Sequence, residues 1–240
     1  GAKPLKPEKS LNFTAGLTYE SGPARLTVDA YQIRVDDRTV KTEFLGTASN
    51  GGSAVRDILI ANGVTNVDSA QFFANAIDTR TRGVDVVAEY NLNTASLGSF
   101  RLSAAYSYSR TKILNIIDNP SQLASLNVTL FGRQAQRDLV AATPPTKVVF
   151  SNDWSLGRAH ALLRVTRYGR YTEASNVATG DRSFGAKWVT DLDIGYDLSD
   201  NVTLSAGANN LFDVYPDRNG IIAYDGSGSY GNFAPFGLSG

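Results

Sequence analysis

Eight stretches of this chain alternate apolar and polar residues at period two, and the connections after them run short, long, short, long throughout. In an extended strand successive side chains point to opposite faces, so each stretch reads as a β-strand with one apolar and one polar face. The clearest case is near the C-terminal end. Trp188, Leu192, Ile194, Tyr196 and Leu198 hold even positions, and Lys187, Asp191, Asp193, Gly195 and Asp197 hold odd ones. After the polar turn Ser199-Asp200, Val202, Leu204, Ala206 and Ala208 alternate with Thr203, Ser205, Gly207 and Asn209, which completes a hairpin. Such a hairpin suits a water-soluble sandwich with its apolar face inward, or a membrane barrel with that face toward lipid.

The rest of the chain separates the two. Leu11, Phe13, Ala15, Leu17 and Tyr19 form the first apolar face, and Ser21-Gly22-Pro23 turns the chain into Leu26, Val28 and Ala30. Beyond Ala30 the apolar parity flips to Tyr31, Ile33 and Val35, which means a bulge or an exit from the membrane zone. Residues 37–70 form a long excursion, in which Ser53 to Ala61 predicts a short amphipathic helix capped by Ser53. Val84, Val86, Ala88, Tyr90 and Leu92 lead through 93–98 to Phe100, Leu102, Ala104, Tyr106 and Tyr108. A second excursion covers 113–144. Val148, Phe150, Trp154 and Leu156 then turn at Gly157-Arg158 into Ala159, Ala161, Leu163 and Val165. A third excursion covers 173–185, and a fourth, rich in Gly and Tyr, runs from 213 onward.

Short turns therefore gather at one end and long excursions at the other. Outer-membrane barrels sort their connections this way, with short periplasmic turns and long extracellular loops, and soluble sandwiches do not. Each alternating run is also near the ~9–11 residues that cross a bilayer at a tilt. The fold expected is all-β, a transmembrane antiparallel up-and-down β-barrel. Composition agrees: 22 Gly and 11 each of Tyr and Phe fit a barrel with aromatic girdles, and no apolar run is long enough for a spanning helix. The 23 basic and 23 acidic residues balance, so no nucleic-acid partner is indicated. The absence of Cys excludes disulfides and thiolate metal sites. The absence of Met leads to the expectation that the chain starts inside a longer translation product, after a cleaved signal peptide or as a fragment.

Four segments resemble a family. Leu5-Lys-Pro-Glu-Lys-Ser10, ahead of an alternating strand, resembles the "LKPE" signature of TonB-dependent outer-membrane receptors. Thr81-Arg-Gly-Val-Asp85 is similar to their "RGxE" strand opening, with Asp for Glu. Arg137 to Lys147, containing Thr143-Pro144-Pro145, resembles the Arg/Pro segment before a descending strand. Gly207-Ala-Asn-Asn-Leu-Phe-Asp213 matches the "NNLFD" signature, the most specific of the four. The resemblance implies a barrel of about 22 strands, of which about eight are here. Residues 1–240 would then be its C-terminal portion, with plug domain and final strand not present. It implies a bacterial outer-membrane location and active import of a scarce nutrient, a ferric siderophore above all, with energy from TonB acting on the N-terminal part. Outer-membrane lipid and the remainder of the same receptor are the other partners implied. The alternative is a self-contained small barrel acting as a passive porin or adhesin.

No catalytic site is legible. His160 is the single histidine and, beside a short turn, reads as a surface residue rather than a metal ligand. Asp191, Asp193 and Asp197 have a strand's spacing, not a calcium loop's, and read as a wet lumen wall. With one His and no Cys the usual nucleophile–base constellations are missing, so neither an enzyme nor a resident cofactor or metal is expected. Asn209, Asn210, Leu211, Phe212 and Asp213 read as structural, since Asn and Asp side chains satisfy backbone groups where a strand enters a loop. The excursions hold the ligand candidates: Arg133 and Arg137; Arg170, Tyr171, Arg182 and Phe184; Tyr215, Arg218, Tyr224, Tyr230 and Phe233. Arg interleaved with aromatics suits a bulky ligand with negative or π-rich groups, as the family's siderophores are. The competing reading is that these loops only pack on one another at the barrel mouth.

Overall fold

The structure is a computed structural model and describes residues 4–48, 50–119, 123–124, 126, 128–222 and 228–230, in backbone alone beyond Arg218. In chain order the strands are β1 (Lys9–Ser21), β2 (Ala24–Lys41), β3 (Phe73–Thr94), β4 (Gly98–Ile116), β5 (Thr146–Leu156), β6 (Ala159–Tyr168), β7 (Tyr171–Glu173), β8 (Arg182–Phe184), β9 (Lys187–Ser199), β10 (Val202–Ala208), β11 (Arg218–Ile222) and β12 (Gly228–Tyr230). One eight-stranded antiparallel sheet, ordered β1-β2-β3-β4-β5-β6-β9-β10, forms the body; β7 pairs with β8, and β11 with β12, as separate ribbons. Neighbours in sequence are neighbours in space, the up-and-down order of a transmembrane barrel. The sheet does not close on itself, and β1 and β10 are its edges.

Register sorts the faces. Leu26, Ala88, Ala104, Phe150 and Val165 stand opposite one another across five strands. The neighbouring row, on the other face, is Arg25, Glu89, Ser103, Ser151, Arg164 and Asp191. Among the described residues no second layer covers the apolar face: Leu17 is 70% and Leu204 65% exposed. A continuous uncovered apolar face of this size suits lipid, not water.

The flip past Ala30 is not a bulge. The β2–β3 ladder runs unbroken through Ala30↔Val84, Tyr31↔Gly83 and Ile33↔Thr81, and the irregularity comes only between Val35 and Arg38. The pleat continues while the medium changes.

The short turns sit together at one end. Gly98 holds φ +83, and a Cβ there would lie 2.1 Å from the Ser155 carbonyl oxygen, so glycine is required on both counts. Trp154 Nε1 donates to the Leu97 carbonyl (2.7 Å), stitching β5 to the β3–β4 turn.

The buried core is at the opposite end. Leu45 and Val55 from the first excursion close over Val128 and Leu130 from the second. Ala76 and Ile77 of β3 close over Phe131. Asn50 adds a polar clamp, its side chain donating to the Phe44 and Thr129 carbonyls and accepting the Thr129 N–H. The first excursion carries α1 (Gly52–Ala61), as expected, but Ser53 is not its cap. Gly51 takes that place at φ +91, where a Cβ would meet Val55 at 2.5 Å and Val128 at 2.6 Å. The second carries α2 (Arg133–Ala141), which periodicity did not foretell because only Ala135 and Leu139 reach the core.

Candidate functional site

The excursions converge around α2 and the β7–β8 ribbon. Arg133, at the start of α2, grips Asp181 with two charge-assisted hydrogen bonds, Nη1 to Oδ1 at 2.8 Å and Nη2 to Oδ2 at 2.7 Å. It also donates to the Ser175 carbonyl, while the Ser175 N–H donates to Asp181 Oδ1 (3.0 Å). One helical turn on, Asp138 Oδ1 accepts the Ala174 N–H (2.8 Å). The Arg133 guanidinium and the Ser175 N–H hold the Asp181 carboxyl well below the usual carboxylate range.

Beside this pair Tyr171 stacks on Phe184, centroids 4.7 Å apart and 7° from parallel. Both are buried, at 3% and 2% exposure. Burial, with the Glu173 and Asp217 charges behind it, pushes the Tyr171 hydroxyl up to about 12. The fourth excursion is tied to the same place: Asp217 accepts from Lys187 Nζ (2.5 Å) and the Gly185 N–H (2.6 Å), which lower its pKa.

The structure thus brings Arg133, Tyr171 and Phe184 into one assembly: Asp181 takes up the Arg133 guanidinium and the two rings stack, while the buried Tyr171 hydroxyl has no hydrogen-bond partner among the described residues. Arg137, Arg170 and Arg182 are exposed and make no ion pair among the described residues. Tyr215 and Arg218 are also exposed. Tyr224 and Phe233 lie outside the described residues, and Tyr230 falls in β12, of which the backbone is described. Sequence reasoning passed over Asp138, Asp181 and Asp217; acidic residues spaced among the loop arginines were the available signal.

Three of the four signature segments carry local hydrogen bonds or close packing. Asn210, at φ +52, donates Nδ2 to the Val214 carbonyl (3.0 Å) and accepts the Val214 N–H (2.9 Å), while its own N–H donates to Asp191 Oδ1 (2.8 Å). Gly83 leaves room for the Tyr31 ring, since a Cβ would lie 2.2 Å from Tyr31 Cζ. Ahead of β1, Asn75 exchanges hydrogen bonds with the Lys6 backbone (2.7 and 2.9 Å), and Glu8 accepts the Thr39 N–H (2.7 Å).

The strand-face aspartates are separately engaged, Asp191 by Asn210 and Asp197 by the Thr203 hydroxyl (2.6 Å). Among the described residues no group of three or more His, Asp or Glu side chains could hold a metal ion. His160 faces Gly195 across β6 and β9, on the polar side of the sheet.

A lipid-facing antiparallel meander, with short turns at one end and interlocked long loops at the other, defines an outer-membrane-type barrel segment. The sequence model described as "TonB dependent receptor-like, beta-barrel" matches residues 1–211, and the chain belongs to that family, whose members are transport receptors of the outer membrane. No curated protein sequence matches it. Among solved structures it is similar to the outer-membrane transporter YddB from Escherichia coli, with 12% identity and TM-score 0.62 over 94% of this chain and 31% of that one. The pyoverdine receptor FpvA from Pseudomonas aeruginosa PAO1, bound to pyoverdine, gives 16% and 0.56 over 95% and 28%. The copper transporter OprC gives 20% and 0.55 over 88% and 26%. At these identities the likeness is one of fold, and the chain spans between a quarter and a third of their length.

Proposed function

We propose that this chain is the C-terminal portion of the barrel of a bacterial outer-membrane active-transport receptor, which captures a ferric siderophore at its long-loop end. The observation that carries the ligand reading is the joining of the excursions into one assembly with Arg137, Arg170 and Arg182 left exposed on it. Exposed guanidiniums suit an anionic chelate. Family membership supports import over passive diffusion, and the open edges of β1 and β10 fit a segment completed by further strands and enclosing a plug. The outer membrane has no ATP, so TonB supplies the energy. No catalytic step is assigned.

The test uses the intact receptor that carries this chain, expressed in iron-starved cells. Uptake of a ferric siderophore should require TonB. Replacing Arg137, Arg170 and Arg182 by Ala should each weaken binding by up to about thirtyfold, the range of one lost cation–π or ionic contact. Uptake that persists without TonB would favour a passive pore. Wild-type affinity in all three variants would leave these loops as packing.

A further inference from the structure

The outward face of β2, β3 and β4 changes character within one step of the pleat. Up to Ala30, Val84 and Tyr108 its residues are apolar. The next outward row is Gln32, Arg82 and Arg110, and the one beyond it Arg34, Arg80 and Lys112, each set in direct cross-strand register. Opposed Cβ atoms in such rows lie about 4.5–5.5 Å apart, and like charges placed there repel.

Among the described residues little offsets this. Arg34 pairs with Asp36 at 2.7 Å, and Arg82 Nε donates to Gln32 at 2.7 Å. Asp78, at the bulge, accepts the Asp37 N–H. Arg80, Arg110 and Lys112 have no ion pair or hydrogen bond among the described residues. On the inner face at the same height the side chains are Tyr31, Ile33 and Thr81, so the cations do not belong to the loop assembly around Arg133.

We propose that this patch is a docking site for the phosphate-bearing headgroup of a lipid in the leaflet on the long-loop side. Charge and depth both select that occupant. A phosphate lodged between Arg80, Lys112 and the neighbouring Arg110 supplies the anion that these cations lack among the described residues, and guanidinium binds phosphate through paired hydrogen bonds. Acyl chains of the same molecule would run down the apolar face directly beneath, over Ala30, Val84 and Tyr108. A soluble anion would gain only the first of these contacts.

The test takes the intact receptor, purified in dodecyl maltoside, with dioleoyl phosphatidic acid as probe and native mass spectrometry as readout. Wild-type protein should retain phosphatidic acid in preference to dioleoyl phosphatidylcholine, and millimolar inorganic phosphate should not displace it. The Arg80→Gln, Arg110→Gln, Lys112→Gln variant should bind it on the order of a hundredfold more weakly, at roughly a factor of several per cation removed. Arg80→Lys with Arg110→Lys should retain most of the binding, and wild-type heat-modifiability in each variant reports folding. Equal retention of the two lipids by wild-type protein would overturn the proposal without any variant. Displacement by free phosphate, or unchanged binding in the triple variant, would also overturn it. None of these outcomes bears on siderophore uptake.

Discussion

Arg133 and Asp181, in different excursions and separated by 48 residues of sequence, meet as a two-bonded ion pair at 2.8 and 2.7 Å. The pair fastens α2 to the β7–β8 ribbon. Because the Asp181 carboxyl is held below the usual range, its contribution is present above the ordinary carboxylate pKa of about 3.9 and is lost only as pH falls through the lower folded value. Spin labels at Gln134 and Thr179 should therefore give one narrow distance from pH 7 down to about 4, broadening only at more acidic pH. Asp181→Asn should broaden it at every pH. A wild-type distribution that loosens between pH 6 and 5 would assign the tether to other groups.

The register places Leu192 between Leu163 and Ala208 on the apolar face, and Asp193 on the opposite one. Spin labels at these adjacent positions should differ sharply, with position 192 alone reached by a lipid-soluble quencher. Leu192→Arg should destabilise the barrel by about 2–4 kcal/mol if that residue is near the midplane. Urea titration in lipid would read it, and equal quenching of the two labels would contradict the membrane assignment.

Gly83 has backbone on one side and a ring on the other: an added Cβ would lie 2.6 Å from the Tyr108 carbonyl oxygen and 2.2 Å from Tyr31 Cζ. Gly83→Ala should cost about 1–3 kcal/mol, the usual range for overpacking. Adding Tyr31→Ala should recover part of that loss and not all, because the carbonyl stays. Full recovery would mean that the ring alone sets the requirement for glycine.

Asn210 combines a left-handed backbone with two side-chain hydrogen bonds to Val214. Asn210→Gly keeps the backbone freedom and removes the bonds; Asn210→Ala removes both. The Ala variant should therefore be the less stable, by about 0.5–1 kcal/mol relative to Gly, with protease sensitivity at 209–215 rising in the same order. Equal behaviour would make the conformation irrelevant and leave the hydrogen bonds as the whole effect.

Much of the sheet was legible in the residues themselves. Each strand faces two different media, and a period-two pattern records that locally, so Trp188 to Leu198 discloses both its conformation and its faces without reference to any partner. Turn lengths are equally local, and sorting them fixed the end at which the loops gather. The same patterns were silent wherever two readings share one local appearance. Beyond Ala30 a bulge and a change of medium look alike in sequence, and only the intact ladder with β3 decides for the second. The cap of α1 went to Gly51 rather than Ser53 because Val55 and Val128, the latter 77 residues away, close over that position. For the candidate site, composition picked out the loop arginines and aromatics as a class. It could not tell Arg133, consumed by Asp181, from Arg137, left exposed, because neutralisation of a charge depends on which distant segment folds against it. Periodicity belongs to the strand and is written in its own residues; pairing belongs to the contact, and the tertiary structure alone brings its two halves together.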